Sequence, residues 1–104
     1  MSIAYEQVTV SSTAKELTAS AWATGPWSSG ETLVARIQVQ DADIRYRCDG
    51  TNPTTTVGTL VTNGESFYIV GVDDATTFRA IRTASTDAKL NVEYFRVTDL
   101  GGLL

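Results

Sequence analysis

Apolar and polar residues alternate along several short segments of this chain, and this period of two constrains the fold more than any other feature. In residues 33–40 the odd positions are all apolar and three of the four even positions are polar. Successive side chains of a strand point to opposite faces of its sheet, so the pattern predicts a strand with one buried face. Residues 44–48 repeat it, with Arg45 and Arg47 outward. We predict that the two segments form a hairpin across a tight connection at 41–43.

Similar segments fill most of the remaining chain. We predict further strands at residues 3–10, 15–18, 58–61, 66–70, 76–82 and 89–97, with residues 71–74 closing the fourth of these. Asn63-Gly64 lies between two of them and favours a hairpin turn. A break in the alternation near Gln7 is consistent with a bulge in the first strand, and in the last strand either a bulge lies near Tyr94 or both faces are covered. Seven or eight short strands without a convincing helix predict an all-β fold: an antiparallel β-sandwich or small barrel of jelly-roll or immunoglobulin-like type.

Length and composition fit a single domain of this class. The chain has 104 residues, of which 42% are hydrophobic and 19% charged, so about 65% of its unfolded surface can be buried. Sixteen threonines and eight serines suit strands and turns better than helices. We predict one β domain over residues 1–104, with a Ser/Thr/Trp-containing loop at 11–30 and an apolar C-terminal tail at 99–104.

Composition also excludes several kinds of activity. The chain has no histidine and a single cysteine, Cys48, which removes histidine-based acid–base catalysis, Ser-His-Asp and Cys-His nucleophiles and Cys/His zinc sites. Asp41, Asp43, Asp73 and Asp74 lack the spacing of a known calcium loop. We therefore expect no enzyme, no cofactor and no metal.

The balance of charge and the hydrophobic pattern bear on partners. Twelve acidic residues against eight basic ones give a net charge of −4, which disfavours binding to nucleic acid. No stretch approaches 18 apolar residues, and the first residues lack the basic and apolar regions of an export signal. We expect neither a membrane partner nor export from the cytoplasm in which the chain is made.

Six residues are candidates for protein contact. Trp22 and Trp27 lie in the predicted loop, where a tryptophan can anchor a partner, stack on a sugar ring or fold back as a lid over the sandwich. Arg45 and Arg47 belong either to a basic stripe for an acidic partner or to ordinary cross-strand pairing. The last two candidates, in the tail, either dock on this domain or reach a neighbouring subunit: Leu103 and Leu104.

One stretch resembles a known group of proteins. The residues that carry the likeness are Arg45 to Thr54 with the turn Asp-Gly-Thr-x-Pro-Thr, then Gly58-Thr59-Leu60, Gly64, Phe78 to Arg82 and Ala88 to Arg96. Over about residues 33–97 the chain resembles small virion proteins of tailed bacteriophages. Members of that group look like compact β-sandwiches that serve as head decoration (cement) proteins or as neck and tail accessories.

The resemblance implies a function that the residues alone do not name. We expect a non-enzymatic virion protein, made in the host cytoplasm, that decorates the capsid by bridging major capsid subunits. A homotrimer on local three-fold positions is what that role implies. The alternatives are a neck or tail accessory protein, and a carbohydrate-binding module of a receptor-binding apparatus with Trp22 and Trp27 as stacking platforms.

Overall fold

The protein folds mainly into antiparallel strands. The computed structural model describes residues 4–18, 22, 27 and 30–100, with the backbone alone at 99 and 100. The strands are β1 (Ala4–Val10), β2 (Leu33–Gln40), β3 (Ile44–Arg47), β4 (Thr59–Val61), β5 (Ser66–Val70), β6 (Arg79–Arg82) and β7 (Ala88–Arg96). One short helix, α1 (Val72–Thr77), joins β5 to β6, and a 3₁₀ turn, Val97–Leu100, follows β7.

Two sheets enclose one hydrophobic core. The larger sheet has the strand order β1-β7-β2-β5 and the smaller sheet β4-β3-β6, and every pairing is antiparallel. The alternating segments bury one face against this core: in β2, for example, Leu33, Ala35, Ile37 and Val39 are at most 1% exposed. The predicted all-β class and antiparallel sandwich are confirmed.

The predicted hairpins, in contrast, are wrong. β2 and β3 lie in different sheets, as do β4 and β5. The turns exist, with positive φ at Asp41 and at Gly64, but each carries the chain from one sheet to the other. After the Asn63-Gly64 turn the chain pairs with β2, through a 2.9 Å hydrogen bond from the Val39 amide to the Glu65 carbonyl, and not with β4.

Helix α1 is a second departure from the sequence prediction. Residues 71–74 were expected to close a strand and residues 76–82 to form the next one, yet residues 72–77 are helical. Asp73 and Asp74 lie in the first turn, where acidic side chains interact favourably with the helix dipole, and Ala75 is buried against the core. A segment this short gives too few residues for periodicity to distinguish a helix from a strand.

Smaller strand details also differ. β1 and β7 pair in continuous register from Ala4↔Tyr94 to Val10↔Ala88, and β7 pairs with β2 without interruption, so neither strand has the bulge considered for it. The short strand expected at 15–18 is reduced to one bridge between Lys15 and Ala80. That bridge ties the segment after β1 to the outer edge of β6.

Candidate functional site

The two tryptophans pack against the domain. Trp22 is 6% exposed and belongs to the hydrophobic core. Trp27 is half-buried against that core, and its indole Nε1 donates a 2.6 Å hydrogen bond to the Trp22 carbonyl. Trp22 therefore offers no free ring face to a sugar, and the polar edge of Trp27 is already used within the domain.

Arg45 has a structural role in the turn between β3 and β4. Its guanidinium donates to the carbonyls of Thr55, at 3.1 Å, and Gly58, at 2.8 Å. Gly58 has a φ of +133°, and a Cβ there would lie 3.1 Å from the Pro53 Cβ and 3.1 Å from the Tyr46 carbonyl oxygen. The turn is thus held closely against β3.

Arg47 is engaged in the same turn. It forms an ion pair with Asp49, with the Arg47 Nε 3.1 Å from the Asp49 Oδ1. The hydrogen bond from Arg47, and then the bond from the Thr51 amide, hold the pKa of Asp49 below its ordinary value. The positive charge of Arg47 is therefore balanced locally by Asp49, whereas the hydrogen-bond acceptors of Arg45 are uncharged carbonyl groups.

An open groove lies on the side of the sandwich where the edge strands β4 and β5 face each other. Its volume is about 760 Å³. Tyr68, Ile69 and Val70 of β5 line one wall, and residues 57–59, at the end of the turn, line the other. The groove is also lined by Tyr46, Arg47, Cys48 and Asp49, and by Asp74 of α1. The conformation of the turn therefore shapes one wall of this groove.

Exposed apolar side chains are concentrated around this groove. Among the described residues the exposed large hydrophobic side chains are Val57 (51%), Leu60 (48%), Tyr68 (40%), Val70 (46%) and Tyr5 (59%). All but Tyr5 belong to β4, β5 or the turn that leads into β4. We call the surface formed by the groove, Val57, Leu60, Tyr68 and Val70 the open side. Clustered apolar exposure of this kind marks contact surfaces more often than scattered exposure does.

The open side also presents unpaired backbone groups. In the β2–β5 ladder, the bonds Gly71 N–H to Leu33 C=O and Val39 N–H to Glu65 C=O place the odd-numbered residues in hydrogen-bonded pairs. The alternation of an antiparallel ladder then directs the N–H and C=O groups of Ser66, Tyr68 and Val70 away from β2. Within the described part of the chain no hydrogen bond reaches them, and β5 contains neither a charged residue nor a proline to protect its edge.

Charged and neutral groups both line the groove: Arg47 and Asp49 form an ion pair there, Asp74 adds a negative charge, and Tyr46 and Cys48 are neutral at pH 7. Burial, followed by the charges of Asp74 and Asp49, raises the pKa of the Cys48 thiol to about 11. Burial also raises the pKa of the Tyr46 hydroxyl, with a smaller contribution from Cys48. Across residues 4–18, 22, 27 and 30–100, no ion pair involves Asp73 or Asp74, so the α1 end of the groove carries uncompensated negative charge.

Leu103 and Leu104, the remaining candidates, lie outside the described residues. The sequence did not identify the open side, although the uncharged run Ser66–Val70 was a usable signal for an unprotected edge. Among the described residues, no helix is long and apolar enough to cross a membrane, and no three acidic, cysteine or histidine side chains are grouped as a metal site would require. Comparison of the chain with known protein families, curated proteins and solved structures finds no match.

Proposed function

We propose that this chain is a non-enzymatic structural protein of a tailed-bacteriophage particle, and specifically a capsid decoration protein that bridges neighbouring major capsid subunits. The observation that carries the proposal is the position of the turn with the sequence resemblance. Residues 45–60 hold the turn against β3 and end in the exposed Val57 and Leu60 of the open side. The segment with the resemblance, residues 45–60, therefore supplies two of the four exposed large apolar side chains that the open side has among the described residues.

The chemistry of the groove supports contact rather than catalysis. A thiol with a pKa of about 11 is protonated at neutral pH and is a poor nucleophile. The groove is open, and apolar side chains, two strand edges and the charged side chains of Arg47, Asp49 and Asp74 line it. These features suit the recognition of a polypeptide surface, which the proposed role on a capsid requires.

The proposed role determines where the protein is found and in what number. Binding at local three-fold positions of a capsid would give a homotrimer and a copy number close to that of the major capsid protein. Quantitative mass spectrometry of purified particles of the encoding phage measures that ratio. A ratio near one supports capsid decoration, whereas tens of copies per particle would replace it with a neck or tail position. Absence from intact particles would overturn the proposal.

A further inference from the structure

We propose that the open side binds one extended segment of another protein, which adds to β5 as an antiparallel strand and carries a basic residue at its N-terminal end. This inference extends the proposed function and rests on it for the existence of a protein partner. It names the conformation and chemistry of the segment that is contacted.

Backbone hydrogen bonding is the first argument. Ser66, Tyr68 and Val70 present three N–H and three C=O groups in a row at the free edge of the larger sheet. An extended segment pairs with such a row through main-chain hydrogen bonds, which provide affinity without requiring a particular sequence. No bulge, charge or proline in β5 opposes this pairing.

The side chains beside the edge are the second argument. Alternate residues of an added strand point to opposite faces of the sheet. On one face they would meet Tyr68 and Val70, and on the other they would enter the groove beside Tyr46 and Cys48. Small or branched apolar side chains in the segment would therefore cover the exposed apolar groups on both sides of the edge.

Charge determines which end of the added segment carries the basic residue. The N-terminal end of an antiparallel segment lies beside Val70, the end of β5 from which the chain continues into α1. Asp73 and Asp74 are there, and no described cation pairs with them. A lysine or arginine at that end of the segment would supply the missing opposite charge.

The same charges disfavour a second copy of this chain as the occupant. Two β5 strands paired antiparallel about Tyr68 would place Glu65 of one copy opposite Gly71 of the other, next to Asp73 and Asp74. Three carboxylates would then meet at each end of the pair, and like charges at a contact oppose association. A segment with a basic N-terminal end avoids this repulsion.

The test uses the full chain, labelled with ¹⁵N, and synthetic peptides blocked at both ends. The binding peptide is lysine followed by valine, threonine, valine, threonine and valine. We expect saturable amide shifts at Ser66, Tyr68 and Val70, and hydrogen exchange at these amides slowed about tenfold at saturation. Replacing the lysine by glutamate should weaken binding about two- to fivefold, the range for an exposed ion pair. Replacing the central valine by proline should remove binding, because proline has no N–H and does not fit a strand.

Two protein variants supply the matched comparison. Tyr68→Lys places a charge on the edge of β5, whereas Tyr5→Lys places the same charge at an exposed tyrosine of β1, on the opposite edge of the sheet. We expect the first variant to lose binding and the second to keep it, with both retaining the dispersed amide spectrum of the folded protein. In Asp74→Asn the preference for lysine over glutamate should shrink.

Several results would overturn the inference. They are equal binding of the proline peptide, shifts located on β1, no shift at any peptide concentration, and a concentration-dependent dimer through β5 in the absence of peptide. The experiment needs no virus particles, so it can fail while the protein is still found on the capsid. Conversely, peptide binding can succeed for a protein that is absent from particles.

Discussion

Tyr94 of the core and the partly buried Glu6 form a polar contact. Tyr94 is fully buried, and its hydroxyl donates a hydrogen bond to the Glu6 carboxylate, which also accepts a 3.1 Å bond from the Thr18 amide. Burial, and then the bond to Glu6, raise the pKa of Tyr94 above its ordinary value. The hydroxyl therefore remains a hydrogen-bond donor across the physiological range of pH.

Removal of that hydroxyl should measurably destabilise the fold. We predict that Tyr94→Phe lowers the free energy of unfolding by about 1.5–3 kcal/mol, the range for a hydrogen bond to a charged group. Urea denaturation at pH 7 measures the change. Tyr5→Phe is the control, because Tyr5 is exposed and its hydroxyl bonds to Asn91 on the surface. Its cost should stay within about 0.5 kcal/mol. Equal losses in the two variants would contradict this assignment.

The raised pKa of the Cys48 thiol leads to a second prediction about a single residue. Its pKa of about 11 means that the reactive thiolate is scarce at pH 7. The rate of alkylation by iodoacetamide should therefore keep rising with pH beyond pH 9, whereas that of a free thiol levels off above its pKa of about 8.5. Asp74→Asn removes one negative charge and should move the midpoint to lower pH. A midpoint near 8.5 in the folded protein would refute the prediction.

Among the elements, the turn between β3 and β4 depends most on one glycine. Gly58 combines a φ of +133° with close neighbours on β3 and Pro53, whereas Gly50, with a φ of +81°, has open space around its α-carbon. We predict that Gly58→Ala costs about 1–3 kcal/mol, from backbone strain and crowding together. Gly50→Ala should cost less, because it introduces strain alone. Thermal or urea unfolding of the two variants measures the loss of stability in each. Equal losses would contradict the prediction, because they would show that the neighbours of Gly58 accommodate the added Cβ without reducing stability.

Hydrogen bonds to carboxylates in two turns should make the stability of the fold depend on pH in the acidic range. Hydrogen bonds from Arg47 and Thr51 lower the pKa of Asp49, and bonds from the Thr62 hydroxyl and amide lower the pKa of Glu65. A carboxyl whose pKa is lower in the folded state stabilises the fold above its unfolded pKa, about 3.9 for Asp and 4.3 for Glu. That stabilisation is lost as the pH falls through the folded pKa.

The corresponding measurement is urea denaturation at pH 7 and pH 3. The wild-type chain should be less stable at pH 3, and Asp49→Asn and Glu65→Gln should each reduce that difference. Asp73→Asn is the matched control, since no described residue bonds to its carboxylate and only the weak interaction with the start of α1 is lost, so it should change the difference less than either variant does. The interpretation fails if Asp49→Asn and Asp73→Asn behave alike.

For the whole molecule, the sequence indicated which residues are buried better than it indicated which strands pair. Alternation at 33–40 and 89–97 reports that one face of each strand meets a core, and the structure confirms both strands. Alternation does not identify the strand with which each of them pairs. Asn63-Gly64, for example, can form the turn of a hairpin or of a connection between two sheets. The choice depends on how both sheets close over one core, which no local pattern records.

The candidate site was less predictable for a related reason. For Trp22 and Trp27 the residue type left partner contact and packing over the sandwich as alternatives; Trp22 lies in the core and Trp27 packs against it. The open side instead depends on which strands end up at sheet edges, and this is a property of the strand order. Only the lack of charge in residues 66–70 was visible beforehand.

The strand order also has a consequence for synthesis of the chain. β7 lies between β1 and β2, and Ala4 pairs with Tyr94, 90 residues further along the chain, so β1 cannot pair within the larger sheet until β7 has been made. Until residues 88–96 leave the ribosome, β1 has no neighbour and β2 can pair only with β5. Synthesis must therefore reach residue 96 before the larger sheet can form, and a chain that stops before β7 would leave the apolar faces of β1 and β2 without cover.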